Sequence, residues 1–251
     1  MIEPSQRGAQ QPDRAIAIIL AAGPGKRMGA VKPKVLMALD GKPLVIWVLE
    51  AVRTAGIKRV IVVIGHQGEQ VQQVLDGFDV EFVWQRPLLG TGHAVQQTEN
   101  LLKSHAGPVA VLLGDVPRIR PETIRGLIST HCEAKASATV LTAVIDDPAG
   151  YGRIVRRSDG TLDRIVEARD ADLKIKAIKE INTGTMCFYA PDLLAALPAV
   201  TSDNAQQEYY LTDVIGILQK SGLLVHGYQT HDPRDALGAN SQSQLEQLKK
   251  L

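Results

Sequence analysis

Four cations follow a glycine-proline turn in LAAGPGKRMGAVKPK, residues 20–34: Lys26, Arg27, Lys32 and Lys34. The loop comes directly after the apolar run AIAIIL at 15–20, so it leaves the carboxyl end of a first strand. Backbone N–H groups of such a turn can form an anion nest, and several cations beside it suit a polyphosphate. Two familiar phosphate loops are excluded. A dinucleotide fingerprint needs a third small residue for close helix packing, and the series from Gly23 places Met28 there. The next apolar run, VIVVIG at 60–65, also lacks the acid that would hold a ribose, none occurring until Glu69. A triphosphatase P-loop needs Ser or Thr after its lysine, and Arg27 stands there. For any single lysine of the loop a solvated basic turn is an equal alternative. For the set, the carboxyl edge of an α/β sheet weighs towards a ligand.

Three further stretches carry chemistry. Asp115 follows the run VAVLLG at 109–114, where it is a turn acid, a solvent-facing carboxylate or a cation ligand, because an unpaired buried carboxylate is costly. QRPLLGTGHA at 85–94 leads from a strand into a helix and combines an amide, Gln85, with two glycines. Beyond residue 147, alternation makes Tyr151, Glu167 and Asn182 candidates for one concave face, and such groups pair well with sugar hydroxyls. Tyr209 and Tyr210 read equally as core packing or as part of a polar-aromatic wall. No histidine has a triad or metal partner in sequence, and no nucleophile-base constellation occurs.

These residues need a frame. Apolar runs at 15–20, 60–65, 80–84, 109–114 and 138–144 alternate with amphipathic stretches such as 43–55, 67–76 and 93–103. The pattern is βαβ, and strands that are apolar throughout are those covered by helices on both faces. The expected fold is therefore α/β: a Rossmann-like, mostly parallel, doubly wound sheet. After residue 147 the polar alternating segments YGRIVRR, LDRIVEA and TGTMCFYA predict a small antiparallel ribbon subdomain. Helices are expected again at 191–197 and 211–221, then a strand at 223–229 and a closing helix from 241. The predicted boundaries are a disordered tail at 1–14 and one domain at 15–251, with a nucleotide-binding half at 15–147 and a sugar-binding half at 148–251.

Composition narrows the classes. With 28 basic and 27 acidic residues the 251-residue chain has no field for nucleic acid or an anionic membrane. No signal-like or membrane-length apolar run occurs, so a cytoplasmic protein is expected. Cys132 and Cys187 lack metal-ligand spacing and read as half-buried reduced thiols.

The string L-A-A-G-x-G-x-R-M at 20–28, followed by Pro33-Lys34, resembles the signature of the sugar nucleotidyltransferases. From about residue 15 to the end the chain is similar to the uridylyltransferase domain of bacterial N-acetylglucosamine-1-phosphate uridylyltransferases, whose fold is of the nucleotide-diphospho-sugar transferase type. The resemblance implies catalytic roles for Arg27 and Lys34. It implies nucleotide contacts at Leu20, Ala21, Ala22, Gly23, Lys34, Gln85, Gly90, Thr91, Gly114 and Asp115, with Gln85, Gly90 and Thr91 on the uracil. Sugar contacts are implied at Gly152, Glu167 and Asn182, and Mg²⁺ on Asp115 and Asn240, although a Gly-Ala-Asn turn before a helix is also an ordinary cap. One departure is Leu113, where the family often has tyrosine.

The implied reaction joins UTP and N-acetylglucosamine 1-phosphate into UDP-N-acetylglucosamine and pyrophosphate, by positioning and charge neutralisation. Alternatives are thymidylyl or uridylyl transfer to glucose 1-phosphate or another sugar phosphate, a nucleotide-sugar-binding regulator without turnover, and an NAD(P) oxidoreductase, which Met28 disfavours. Many relatives continue into a hexapeptide-repeat acetyltransferase domain that trimerises. This sequence shows no such repeat, so neither acetyl transfer nor a trimer is expected from it.

Overall fold

The computed structural model describes residues 11–25, 32–239 and 241–250. Two expected site residues, Arg27 and Asn240, and residues 1–10 of the tail expected at 1–14 lie outside the described residues. Pro12–Arg14 forms a 3₁₀ turn that leads into the first strand.

The apolar runs become the strands β1 Ile16–Ala21, β4 Arg59–Ile64, β5 Glu81–Trp84 and β6 Pro108–Leu113, while β2 Ala38–Leu39 and β3 Lys42–Pro43 form a separate two-stranded sheet. β5, β4, β1 and β6 lie side by side and parallel, with Leu20 opposite both Val63 and Leu113. Their two faces are buried under different helices. Ala17, Ile19 and Ala21 of β1 pack towards α1 Leu44–Thr54, α2 Gly68–Val74 and α5 Pro121–Glu133. Ile16 and Ile18 pack towards α3 Thr91–Gln96, α4 Glu99–Leu102, α7 Ala190–Ala196 and α8 Asp213–Lys220. Burial on both faces is why the strands read as continuous rather than alternating apolar runs.

The stretch 93–103 divides into two helices at Gln97-Thr98, where the buried Thr98 hydroxyl donates to Val95 O at 2.7 Å and competes with the helical ladder. α6 Leu173–Lys176, one turn capped by the Asp172 side chain, has no counterpart among the sequence expectations.

One segment differs from the sequence reading. All of TGTMCFYA but its final Ala190 belongs to β10 Glu180–Tyr189, which runs antiparallel between β6 and β7 Ala138–Val144 in the middle of the sheet. Its polar alternation comes from threonines that are buried in the sheet: Thr183 donates its hydroxyl to Leu141 O at 2.9 Å and accepts from Thr185 N at 3.1 Å. The ribbon is the hairpin of β8 Arg153–Arg156 and β9 Leu162–Val166, joined to β10 through Arg153 and Ile181. β11 Val225–Gln229 completes the nine-stranded mixed sheet parallel to β7. The closing helix α9 Gln242–Leu248 takes its cap from Ser241, whose side chain accepts from Gln244 N.

Both cysteines are buried rather than half-buried, and burial pushes both thiols up, Cys132 to about 11. Among the described residues no helix is long and apolar enough to cross a membrane.

The order β5-β4-β1-β6 places the switch of chain direction at β1. From β1 the chain goes to β4 and β5 on one side and returns as β6 on the other, so the loops after β1 and β6 part and open a crevice at their carboxyl ends.

Candidate active site

Close backbone contacts tie the strand ends together at the base of the crevice. Gly114, directly after β6, donates its N–H to Leu20 O at 2.9 Å, and a Cβ on Gly114 would lie 3.0 Å from that same oxygen. His66 N reaches Ala22 O at 3.1 Å and Gln85 N reaches Ile64 O at 2.8 Å, carrying the ladder one step past each strand end. The candidate residues Leu20, Ala21, Ala22, Gln85, Gly114 and Asp115 therefore share one edge, and Gly23 is exposed there.

Asp115 is 6% exposed and its Oδ2 pairs with Lys34 Nζ, so the carboxylate that needed a partner has one. Lys34 opens a 3₁₀ turn, Lys34–Leu36, whose Val35 and Leu36 anchor in the core. On the other side Ala239 N donates to Asp115 O at 2.9 Å, which brings the carboxyl-terminal segment to the strand edge.

That segment is fixed by Asp235, which has no exposed surface. Its carboxylate accepts from Arg120 N at 2.9 Å, Arg120 Nε at 3.1 Å and Arg120 Nη2 at 3.0 Å, and from the hydroxyls of Thr123 and Thr230 at 2.7 and 2.5 Å. Gly238 N then donates to the Tyr151 hydroxyl at 3.4 Å.

A cleft of about 270 Å³ lies in front of Asp115. Leu20, Thr91 and Asp115 line it from one half of the chain, and Gly152, Glu167 and Asn182 from the other. Tyr151, Glu167 and Asn182 line the same side of this cleft, Tyr151 just before β8, Glu167 just after β9 and Asn182 within β10. Asn182 takes its place through N–H donation to Gly152 O at 2.9 Å, and its Oδ1 accepts from Gly184 N at 3.0 Å. Leu113 also lines the cleft, and a side chain on Gly184 would collide with its Cδ1. Glu167 accepts from the Thr212 hydroxyl at 3.0 Å, but burial outweighs that bond and raises its carboxyl above the usual range.

Thr91, which lines the cleft, belongs to the loop at 85–92, and this loop is sealed against 208–211. Gly92 N donates to Tyr209 O at 2.8 Å, Tyr209 N to Leu89 O at 2.8 Å and Leu211 N to the Thr91 hydroxyl at 3.1 Å. Gly90 has φ +106°, and a Cβ there would lie 2.7 Å from Tyr209 O, so only glycine fits. Gln85 is 4% exposed, and its Nε2 donates to Gly90 O at 2.9 Å and lies 3.1 Å from His93 Nδ1. Tyr210 is buried, with its hydroxyl accepting from Gln206 Nε2 at 2.7 Å, while Tyr209 is half-buried against the second core layer.

Residues 17–213 match the model of the MobA-like NTP transferase domain. The chain belongs to this family. Two curated relatives are the bifunctional protein GlmU of Acetivibrio thermocellus, 46% identical over 230 residues, and that of Heliobacterium modesticaldum, 48% identical over 229 residues. These alignments cover 92% and 91% of this chain, which spans about half the length of each relative, 50% in both cases. Among solved structures, a UDP-glucose pyrophosphorylase complexed with UDP-glucose superposes with a TM-score of 0.76 at 17% identity, covering 94% of this chain and 97% of that one. It shares the NTP transferase fold.

Several residues that shape this NTP transferase cleft escaped the sequence reading. Thr212, Asp235 and Arg120 act through partners far away in sequence, and His93 through Gln85 and Gln97, eight and four residues from it. Of these, Thr212 had a local sign, since it lies in the polar-aromatic stretch at 204–213.

Proposed function

We propose that the chain transfers a uridylyl group from UTP to N-acetylglucosamine 1-phosphate, giving UDP-N-acetylglucosamine and pyrophosphate. The convergence of Leu20, Thr91, Asp115, Gly152, Glu167 and Asn182 on one cleft carries this reading, because it sets polar sugar ligands beside a strand edge suited to phosphates. The bifunctional GlmU relatives support the choice of substrates.

In the reaction the phosphate oxygen of the sugar 1-phosphate attacks the α-phosphorus in line, and pyrophosphate leaves. Glu167 and Asn182 hold the sugar, Gly152 lets it come close, and Lys34 balances negative charge on the phosphates. Arg27, by its place in the signature, supplies further charge to the leaving group. Gln85, Gly90 and Thr91 hold the base. Asp115 offers an oxygen ligand at the crevice, and the family pattern adds Asn240. Such a sparse oxygen set fits Mg²⁺, which keeps much of its shell as water and phosphate oxygens. When bound there, Mg²⁺ would supply charge neutralisation between the phosphates.

Incubation with UTP, N-acetylglucosamine 1-phosphate and Mg²⁺ should release pyrophosphate. A panel replacing UTP by dTTP and the sugar by glucose 1-phosphate should give slower release. Absence of pyrophosphate with every pair would overturn the enzyme reading, and UTP binding without turnover would favour a regulator.

A further inference from the structure

His93 sits on the first turn of α3 between two glutamines, and its ring faces an amide nitrogen on each side. Nδ1 lies 3.1 Å from Gln85 Nε2, and Nε2 lies 3.1 Å from Gln97 Nε2. A neutral imidazole has one lone pair and one N–H, so it can accept from only one of the two amides. Each amide nitrogen also donates to a main-chain oxygen: Gln85 to Gly90 O at 2.9 Å, Gln97 to His93 O at 3.1 Å.

Burial decides between them. Gln85 is almost fully buried, so an amide turned the wrong way there would set its oxygen against Gly90 O with no water to relieve it. Gln97 is half-buried, and His93 O keeps a main-chain donor, Gln97 N at 3.3 Å, if that side chain swings away. Nδ1 is therefore the acceptor and Nε2 carries the proton. The Tyr209 ring, 6.3 Å away and tilted by 40°, backs the imidazole from the segment that seals the loop.

With both N–H bonds of Gln85 spent on Gly90 O and His93 Nδ1, its Oε1 is the amide atom able to serve a ligand. We propose that His93 is a positioning residue that fixes the Gln85 amide with Oε1 towards the base, so that the site selects a pyrimidine bearing an N3–H, as uracil does, over cytosine, whose N3 is an acceptor. This rests on the assignment of Gln85 to the base in the proposed function. A site built to pair with one hydrogen-bond pattern discriminates strongly against the reversed one.

The test is binding, by calorimetry with UTP and CTP in Mg²⁺ buffer. The wild type should bind UTP at least tenfold more tightly than CTP. His93→Leu should narrow that ratio about tenfold, the worth of one fixed hydrogen bond of roughly 1.4 kcal/mol. His93→Asn, whose Oδ1 can accept from Gln85, should keep the ratio within about twofold, as should Gln97→Leu. In a Gln85→Leu background His93→Leu should have no further effect on the ratio, the sign that it acts through Gln85. If His93→Leu fails to fold, His93→Phe, which keeps a flat ring but offers Gln85 no acceptor, should narrow the ratio in the same way, and an unchanged ratio there overturns the inference. The inference is overturned if wild type does not prefer UTP, if His93→Leu leaves the ratio unchanged, or if its effect persists without Gln85. A wild type that prefers UTP in binding but releases no pyrophosphate would fail the enzyme reading alone and leave this one standing.

Discussion

Glu167 is a half-buried carboxyl on the wall of the cleft proposed to hold the sugar. Burial raises its affinity for a proton, and the neighbouring charges of Asp170 and Asp213 act in the same direction, against the Thr212 hydroxyl bond. The sign follows from linkage: a carboxyl raised in the folded state binds more protons there than in the unfolded chain, so it lowers stability as pH rises above the ordinary carboxylate range. Glu167→Gln should therefore be more stable than wild type at pH 7, with the advantage vanishing at pH 4; urea midpoints across that range measure it. The same variant should raise KM for the sugar phosphate at pH 7, since an amide accepts fewer hydroxyl bonds than a carboxylate. Asp115 gives the complementary prediction. Asp115→Ala should lower kcat about a hundredfold, roughly 3 kcal/mol of lost charge organisation, in the pyrophosphate assay. Near-wild-type turnover would remove the metal-ligand assignment. At this scale the residues at strand ends were legible, because Gly114-Asp115 and the turn after Leu20 follow unbroken apolar runs. The Glu167–Thr212 pair was not, since its partners lie on a hairpin strand end and before a later helix, and no local period links them.

Parallel strands of the β5-β4-β1-β6 set announce themselves through burial on both faces, and so does α1 through its apolar stripe. β10 does not, because Thr183 and Thr185 look solvent-facing in sequence yet are buried, the Thr183 hydroxyl bonding to Leu141 O and to the Thr185 main-chain N–H. The element that carries Ala236 and Gly238 into the cleft is a 3₁₀ turn, Pro233–Ala236, too short to have a hydrophobic period at all. Its position is set by Asp235, five hydrogen bonds and no exposure. Asp235→Ala leaves the two hydroxyls of Thr123 and Thr230 and the Arg120 main-chain N–H without that acceptor. Arg120 itself is partly exposed and can be solvated, so the loss should fall at the lower end for a broken buried pair, about 3 kcal/mol in urea unfolding. A loss under 1 kcal/mol would show that the turn holds its place without Asp235.

On the scale of the whole molecule, the boundary near residue 147 divides the cleft but not the core. β10, from the second half, is hydrogen-bonded between β6 and β7, both from the first, and β11 adds to β7 on its other edge. The second core layer likewise joins Ile16 and Ile18 to Leu193, Val214 and Leu218. Neither half can bury its share of that layer alone, so the chain should unfold in one cooperative step, with calorimetric and van't Hoff enthalpies equal. A ligand that binds the cleft must then stabilise both halves together. UTP at a hundred times its Kd should add about 2.7 kcal/mol to stability. For a chain of this length that is a rise in Tm of roughly 5–10 °C. Two separate transitions, or a UTP shift confined to one of them, would mean that the halves fold independently and that the shared sheet is not what holds the cleft together.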